Sequence, residues 1–448
     1  MASTRKSNLL ESVAARLAPL VPLHSRILIG LSGGADSVVL LHLLHQLAPR
    51  FQWQLTALHV HHGMSPHADV WANFCANLCI RYAIPLHIER VNITPLREIH
   101  GVESAARQLR QAAFAKQACD VIALAHHADD QSETLMLQLL RGAGVKGLAA
   151  MPVLSVSKVL QAQAVRTLRP LLEVPRARLL EYATQQELQW VEDESNADAY
   201  YPRNFLRHQI LPVLQHKFPN YRETLARSAS HLAEANQLLD ELAQLDAGGT
   251  LEEQSLGVEA LQVLSHERAK NLLRYFLYIQ GAPMPQSVQL DEMLKQLCTA
   301  DIGASVCVSF GDWQVRRYRA RCYVMLALIE FDASLILNWS GQNGLQWPAM
   351  ASRVLFTQTQ GLGISLAKLN DSPITLRHRS GGETLRLHTH SANRSLKNIL
   401  QENHIPPWQR QRLPLLYCGT QLVAIVGVAI HADFQAQAGE RSLLVSLE

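Results

Sequence analysis

A short loop of glycine and serine, between a strand pattern and a helix pattern, constrains this chain more than any other feature. The loop Ser32–Ser37 reads S-G-G-A-D-S, follows the apolar run Ile27–Leu31 and precedes the apolar run Val38–Leu44. Backbone N–H groups at such a junction face an anion at the positive end of the helix dipole. Adjacent glycines let a phosphate come close, and the serines add hydroxyl donors. The common P-loop pattern has a lysine after its last glycine. None follows here, so the loop is either a phosphate site of another kind or an ordinary turn.

Strand and helix patterns alternate from residue 26 to about residue 150. Strand patterns occur at 26–31, 54–60, 85–91 and 120–125, with helical patterns near 36–48, 67–82, 102–118 and from 130 onward. This alternation predicts an α/β domain built on a doubly wound parallel sheet. Ligands of such sheets bind beyond the carboxyl ends of the strands. Polar clusters at 32–34, 61–63 and 126–130 follow three strand patterns, so we expect them to share one crevice.

Length and composition indicate a soluble protein of several domains. The 448 residues suggest two to four domains, and 48% hydrophobic and 18% charged residues are typical of globular chains. Seven cysteines, an odd number without a C-x-x-C pair, indicate a reducing compartment. The start of the chain has no apolar signal core, and no run of about 18 apolar residues occurs. We therefore expect a cytoplasmic protein without a membrane segment.

The texture of the sequence predicts three domains. Residues 1–218 form the α/β domain, 219–337 a mainly helical middle domain and 345–448 a small α+β domain. Helical patterns at 223–245 and 258–280 precede strand patterns near 303–310 and 313–328, and 338–344 is a candidate linker. A homodimer is compatible with the sequence, which does not determine the oligomeric state.

Three carboxylates lie within five positions of the cluster after the fourth strand pattern. Asp130 and Glu133 are one helical turn apart and share a face, and Asp129 precedes them. Such a pair can hold Mg²⁺ or an ammonium group. The alternative is an acidic helix N-terminus with a capping box. The position at the mouth of the crevice favours the functional interpretation.

Basic residues supply further candidates. Arg107 and Arg110 fall on one helix face and suit phosphate, although a solvated basic face is equally compatible. The histidines at 59, 61 and 62 lack the spacing of a zinc site, so contact with a nucleotide or a purely structural role is favoured. The G-x-G-x-x-G match at 142–147 follows a helix and no strand, which indicates a helix end instead of a dinucleotide site.

The C-terminal region carries a local basic segment although the net charge of the chain is only +3. Residues 377–412 contain seven Lys or Arg, two Asp or Glu, four His and Trp408. Such local basicity is typical of a phosphate-binding surface, and a mixed solvated surface is the alternative. Trp408 is either a stacking platform or, as we expect, a core residue of a small domain.

Taken together, these motifs resemble those of bacterial tRNA(Ile)-lysidine synthases, a family of N-type ATP pyrophosphatases with a PP-loop. The resemblance covers about the first 215 and the last 75 residues, and the middle of the chain is looser. One departure is Gln111, where the family usually has an aromatic residue. The matching segments are 32–37, 59–63, 101–107, 126–133, 141–144, 169–172, 192–196, 203–207, 395–397 and 405–410.

The resemblance implies that ATP, Mg²⁺, L-lysine and the wobble cytidine of a CAU-anticodon tRNA(Ile) react to give lysidine, AMP and pyrophosphate. It implies catalytic roles for Asp36, Asp130 and Glu133, with Mg²⁺ on Asp36 or Asp130 and lysine at Asp130 and Glu133. The division of roles among Asp129, Asp130 and Glu133 stays open. The implied ATP contacts are Ser32, Gly33, Gly34, Ala35, Asp36, Ser37, His61 and Arg107. The implied tRNA contacts are Arg203, Arg207, Arg394 and Lys397.

Three other interpretations are weighed against this one. A related cytidine thiolase would carry C-x-x-C pairs, and a synthetase of the asparagine or GMP type would need an amidotransferase partner. A tRNA-binding protein without catalysis would show decay in the loop or in the His-Asp cluster, and both are intact.

Overall fold

The computed structural model describes residues 8–95, 101–157, 165–194, 198, 200–301, 304, 306–369 and 372–448. The chain divides into two compact units, Met1–Leu245 and Asp246–Glu448. Ser195 and Asn196, part of the acidic motif at 192–196, lie outside the described residues.

The first unit is built on a six-stranded sheet in the order β3-β2-β1-β4-β6-β5. β1 pairs in parallel with β2 and β4, with Ile27 opposite Leu55 and Val121, and only the edge strand β5 runs antiparallel to its neighbour. The doubly wound α/β fold expected from the sequence is confirmed. The strands are β1 (Arg26–Gly30), β2 (Gln54–His61), β3 (Leu86–Arg90), β4 (Val121–Ala123), β5 (Leu154–Ser157) and β6 (Val165–Leu168).

Alternating side chains of the central strand explain why helices cover both faces of the sheet. Ile27 and Ile29 point into the larger core, while Leu28 points to the other face. There it packs in one cluster with Ala113 and Phe114 of α4 (Val102–Ala115). The period of two in a strand thus gives each face its own apolar layer.

Helices connect these strands and complete the first unit. The element after α8 is a π-helix, Leu206–Ile210, a form that is rare and frequent at functional sites. α5 ends before Gly142, whose φ of 69° confirms the helix end expected there. The α-helices are α1 (Leu9–Leu17), α2 (Ala35–Phe51), α3 (Ala68–Arg81), α4 (Val102–Ala115), α5 (Ala128–Leu140), α6 (Val145–Leu148), α7 (Arg176–Gln185), α8 (Pro202–Phe205), α9 (Leu211–Lys217) and α10 (Tyr221–Ala247).

The second unit begins with an antiparallel sheet, order β7-β10-β9-β8, and three helices. Its strands are β7 (Ser255–Gly257), β8 (Val306–Phe310), β9 (Trp313–Tyr318) and β10 (Arg321–Leu326), and its helices are α11 (Val258–Val263), α12 (His266–Ile279) and α13 (Ser287–Thr299). The strand pattern at 313–328 is thus a hairpin that turns at Arg319, where φ is 56°. The helical pattern at 258–280 is interrupted at 264–265.

Two further sheets, in the orders β11-β15-β18-β19-β20 and β12-β13-β21-β14, surround a core that includes the fully buried Trp347. Their elements are β11 (Ile336–Trp339), β12 (Gly344–Trp347), β13 (Ser352–Gln360), β14 (Ile364–Ser365), β15 (Ile374–Arg377), the paired β16 (Thr384–Leu385) and β17 (Arg394–Ser395), α14 (Leu396–Glu402), α15 (Pro407–Arg410), β18 (Leu415–Cys418), β19 (Gln421–Ile425), β20 (Ala429–Ile430) and β21 (Arg441–Leu447).

The segment 338–344 is not the free linker that its composition suggests. Asn338 and Trp339 belong to β11, which pairs with Ile374–Arg377, and the Trp339 ring stacks on Phe356 at 5.0 Å. The sequence did not indicate this pairing, because a partner strand 35 residues further along the chain leaves no local signal. Across the described part of the chain, no helix has both the length and the apolar character needed to cross a bilayer.

Candidate active site

The loop Ser32–Ser37 joins β1 to α2 and presents the N-terminus of a 17-residue helix to the crevice. Gly33 has a φ of 91°, and a Cβ there would come within 2.9 Å of Val191, so only glycine suits this position. The Ser37 hydroxyl, which is buried, donates to the Gly34 carbonyl at 2.9 Å and accepts from the Gly33 N–H at 3.2 Å. The loop is therefore braced from within, as expected of a preformed anion site.

Asp36 lies in the first turn of α2 and faces a histidine from the end of β4. Its Oδ2 is 3.5 Å from His127 Nε2 and 3.6 Å from Arg176 Nε. Its Oδ1 is buried and has no hydrogen-bond partner among the described residues. Burial acts to raise the pKa of Asp36, but His127 and Arg176 outweigh it and hold that pKa below its usual value. An ionised carboxylate with one vacant oxygen is suited to a cation.

His127 connects this carboxylate to the acidic cluster. Its Nδ1 accepts the Asp130 N–H at 3.3 Å, while Asp130 Oδ2 accepts the His127 N–H at 3.0 Å, which forms the N-terminal capping box of α5. Burial acts to lower the pKa of His127, but the hydrogen bond to Asp36 and the charge of Asp130 raise it above its usual value. The capping box expected as the alternative is thus present, and a functional role of the cluster stays a prediction.

Asp130 and Glu133 form a network with two arginines. Glu133 is fully buried; its Oε2 accepts from Arg203 Nε at 2.7 Å and its Oε1 from Arg207 Nε at 2.6 Å. Asp130 Oδ1 accepts from Nη2 of both arginines at 3.1 and 3.3 Å. Arg203 reaches this network from α8, and Arg207 reaches it from the π-helix. The residues expected to hold lysine thus contact the two arginines expected to contact tRNA.

Asp129 points to different partners. Its Oδ2 accepts the backbone N–H of Arg176 at 2.8 Å, and its Oδ1 accepts from Arg222 Nε at 2.5 Å. The structure therefore separates Asp129 from Asp130 and Glu133, which the sequence could not do. The sequence motifs did not indicate Arg176 or Arg222 as candidate site residues. The available signal was a cation at the first position of a helix, where the dipole disfavours it, which often marks a functional residue.

A cavity of about 250 Å³ adjoins this network. Its lining combines carboxylate and guanidinium groups with apolar side chains. The lining residues are Asp129, Glu133, Arg176, Ala177, Leu180, Arg207, Leu211, Pro212, Gln215, Tyr221 and Arg222. Such a cavity suits a small ligand that carries both charges and an aliphatic chain.

A second basic group consists of residues that follow β4 and β6 and of residues on α4. Burial and then the charge of Arg107 lower the pKa of Arg169 to about 10. Burial lowers the pKa of His126 to about 3, and the charges of Arg169 and Arg110 also act on it. The charges of Arg107 and Arg110 thus act on groups that follow β6 and β4, and a contact of Arg107 with the nucleotide stays a prediction.

His61 is buried at the end of β2 and lies beside an exposed ion pair. Its Nε2 is 3.2 Å from Asp69 Oδ1 and 3.4 Å from Arg90 Nη1. The neighbouring His59 donates from Nδ1 to the Leu31 carbonyl at 2.9 Å, a contact that braces the strand before the loop. These histidines thus support the crevice wall, and His61 stays a predicted ATP contact.

In the second unit, most cations of the segment 377–412 have protein partners. Arg379, Arg386 and Arg394 pair with carboxylates. Backbone carbonyls accept from Arg377, Arg410 and Arg412. Lys397 is exposed on α14, and a cavity of about 440 Å³ lies at the same helix, lined by Tyr318, Arg319, Asn398, Gln401, Glu402, Pro407 and Arg410.

Trp408 belongs to the packing inside the second unit. Its ring meets Tyr318 and Tyr323 edge-on at 6.2 and 5.5 Å, and Arg316 lies over it at 5.4 Å. The core role expected for Trp408 is thus the one its contacts favour.

Comparison with known proteins gives matches along nearly the whole chain. Residues 5–214 match a PP-loop domain, 256–323 a TilS substrate binding domain and 374–447 a TilS substrate C-terminal domain. A tRNA(Ile)-lysidine synthase of Nitrosomonas europaea is 43% identical over 94% of this chain and 91% of its own length. Proteins of the same name are 38% identical in Coxiella burnetii, over 93% and 92% of the two chains, and 41% in an Azoarcus species, over 94% and 91%.

Proposed function

This chain belongs to the tRNA(Ile)-lysidine synthase family, and from that premise we propose that it joins L-lysine to the wobble cytidine of CAU-anticodon tRNA(Ile) at the expense of ATP. One observation carries the proposal: the phosphate loop and the acidic cluster form one continuous site. Asp36 meets His127 at 3.5 Å, and His127 Nε2 lies 3.4 Å from Asp130 Oδ2. An ATP held by the loop thus lies beside the groups that would receive lysine.

The reaction has two steps. The cytosine O2 attacks the α-phosphorus of ATP, the bond to the β-phosphate oxygen breaks, and pyrophosphate leaves. The lysine ε-amine, after losing a proton, then attacks C2 and displaces AMP. Because the free ε-amine has a pKa of about 10.4, the site must favour its deprotonation. The carboxylates of Asp130 and Glu133 would orient the ammonium before that proton is lost.

The loop and its surroundings would hold the nucleotide. Backbone N–H groups of Ser32–Ser37 would bind phosphate oxygens, and Arg107 and His61 would contact the rest of ATP. Mg²⁺ fits Asp36, because its buried Oδ1 lacks a partner among the described residues and Mg²⁺ is commonly bound by one or two carboxylates plus substrate phosphates. When bound, the ion would offset the charge of the phosphates. Asp130 is the less favoured ligand, because both its oxygens accept hydrogen bonds.

We place lysine in the cavity beside Glu133. Guanidinium groups there suit its α-carboxylate, the carboxylates suit its ammonium groups, and Ala177, Leu180, Leu211 and Pro212 suit its four methylenes. Arg203 and Arg207 would then act at this site by orienting Glu133, with any contact to tRNA made from the same network.

A bulkier side chain in this cavity should weaken the binding of lysine without affecting the binding of ATP. We expect Leu180→Phe to raise the KM for lysine about tenfold or more, since small steric changes in a fitted pocket cost at least that much, and to leave the KM for ATP near wild type. Steady-state kinetics with each substrate varied in turn measures this. Gln185→Phe, on the exposed part of the same helix, is the matched control. Equal changes in both KM values would contradict the assignment.

We propose that tRNA is held in part by the second unit through Lys397 and Arg394. Lys397→Glu should lower the affinity for every tRNA by a similar factor, since phosphate contacts do not read sequence. The slope of log affinity against log salt should become shallower by about one unit for each lost contact. Filter binding over a salt series tests this, with Lys295→Glu, an exposed lysine of α13, as the control of equal charge. An unchanged slope for Lys397→Glu would remove it from the tRNA surface.

The thiolase alternative is not favoured by the cysteines. All seven are free thiols, and burial raises the pKa of Cys75 to about 12 and that of Cys79 to about 11. Such thiols are poor nucleophiles. Free thiols also support a cytoplasmic location.

The decisive experiment incubates the protein with ATP, radiolabelled lysine and CAU-anticodon tRNA(Ile). We expect label in the RNA and one AMP formed for each lysine incorporated. Absence of label, with AMP or without it, would contradict the proposed function. Methionine tRNA with the same anticodon is the specificity control.

A further inference from the structure

Protein groups engage both oxygens of Asp129, as they do in Asp130 and Glu133, but the partners of Asp129 are different ones. The Arg176 backbone N–H reaches Oδ2 at 2.8 Å and the Arg222 guanidinium reaches Oδ1 at 2.5 Å. The side chain is 16% exposed. These partners lie at the starts of two helices and are not shared with Asp130 or Glu133, so Asp129 is suited to hold those helix starts in place.

One of its partners is the start of α7. Pro175, at the cap position, provides no side-chain hydrogen bond to the helix, and the Asp129 carboxylate takes that place. The Val174 carbonyl also accepts the Ala128 N–H at 3.0 Å. The first turns of α5 and α7 are therefore joined by two hydrogen bonds that run in opposite directions.

This junction determines where the Arg176 guanidinium lies. Arg176 is the first residue of α7, and its Nε is 3.6 Å from Asp36 Oδ2 although the side chain is 45% exposed. A cation at a helix N-terminus opposes the helix dipole, and here Asp36 and Asp129 offset that cost. An exposed guanidinium aimed at the phosphate loop suits a polyphosphate.

The other partner links Asp129 to α10. Arg222 lies in the first turn of that helix, its guanidinium 4.7 Å above the Tyr221 ring, and its Nη2 donates to Gln215 Oε1 at 3.2 Å. These contacts fix its orientation toward Asp129. A single carboxylate thus fixes the starts of two helices beside the loop.

We propose that Asp129 is a positioning residue that holds Arg176 against the phosphate loop, where Arg176 contacts the phosphates of ATP during adenylation of the cytidine. Arg222 acts by holding Asp129. The inference rests on the proposed function and adds two residues to it that the sequence did not indicate. It also separates the three acids: Asp129 serves the ATP step, and Asp130 and Glu133 the lysine step.

The test measures adenylation alone, as single-turnover release of pyrophosphate from ATP and tRNA without lysine. Arg176→Gln and Asp129→Asn should each slow this step by about ten- to a hundredfold, the usual cost of losing one charged contact. Because Asp129 acts through Arg176, the double variant should be within about threefold of Arg176→Gln. The KM for lysine, measured separately, should change less than the adenylation rate does. The proposal would be overturned if the double variant lost the product of the two single rate effects. It would also be overturned if Arg176→Gln adenylated tRNA at the wild-type rate.

Arg222 provides a second route should Asp129→Asn not fold. Arg222→Lys, which keeps the charge, should restore adenylation relative to Arg222→Gln, and equal rates for the two would count against the proposal. Arg26→Gln, which breaks an exposed ion pair with Asp120 at the amino ends of β1 and β4, is the control. Circular dichroism checks the fold of each variant. Failure of the wild-type protein to label tRNA with lysine would overturn the proposed function, whereas normal labelling by Arg176→Gln would overturn this inference alone.

Discussion

The Asp36→Ala variant is expected to incorporate lysine more than about a hundredfold more slowly than wild type, since it loses a charged contact to Mg²⁺ and the phosphates. Affinity for tRNA should stay within a few-fold, because Asp36 lies in the phosphate loop. The physical reason is the vacant Oδ1, which has no partner among the described residues, together with the His127 contact to Oδ2 at 3.5 Å. Single-turnover incorporation of labelled lysine and filter binding of tRNA measure the two quantities.

Two controls sharpen this result. Asp36→Asn keeps the size and one oxygen but removes the charge, so it should be as defective as alanine if the charge is what matters. Asp120→Ala removes an exposed aspartate that pairs with Arg26 at the amino ends of β1 and β4. This variant should incorporate lysine at the wild-type rate. Near-normal turnover in Asp36→Ala would exclude the loop carboxylate from the chemistry.

The second large effect is expected at the acid–arginine network. Asp130→Asn and Glu133→Gln should each lower turnover by about ten- to a hundredfold, with the KM for ATP within a few-fold of wild type. Either change leaves Arg203 and Arg207 with one charged acceptor instead of two. The measurement is kcat with lysine and Mg²⁺ both saturating, followed by the KM for ATP.

The pair should also behave as one unit. Because the same two guanidinium groups bind both acids, the double variant should lose less than the product of the single effects. An unchanged rate in Asp130→Asn would leave that residue only its capping role at α5. Strict multiplication in the double variant would show that the two acids act independently.

Local sequence was sufficient for the parts of the site that depend on neighbours along the chain. The Ser32–Ser37 loop, the strand before it and the helix after it all lie where the pattern predicts, because a strand period, two glycines and a helix period carry that information. The meeting of the loop with the cluster at 126–130 also followed, since the carboxyl ends of parallel strands lie on one side of the sheet.

Contacts between residues that lie far apart in the sequence could not be predicted in this way. Glu133 meets Arg207 across 74 positions and Asp129 meets Arg222 across 93. No spacing rule connects such residues, and one sequence offers no co-variation to connect them. The same limit explains the linker at 338–344, where β11 finds its partner strand only in the folded chain.

The sequence by itself thus determined the class of this protein: a doubly wound sheet, a phosphate loop at a helix N-terminus and acids beside it, all set by hydrophobic period and loop chemistry over short spans. The tertiary structure decided which cations each acid meets. Asp129, Asp130 and Glu133 are equivalent as a pattern, but Asp129 meets Arg176 and Arg222, whereas Asp130 and Glu133 share Arg203 and Arg207. Their roles therefore depend on packing between distant segments, which the local order of residues does not encode.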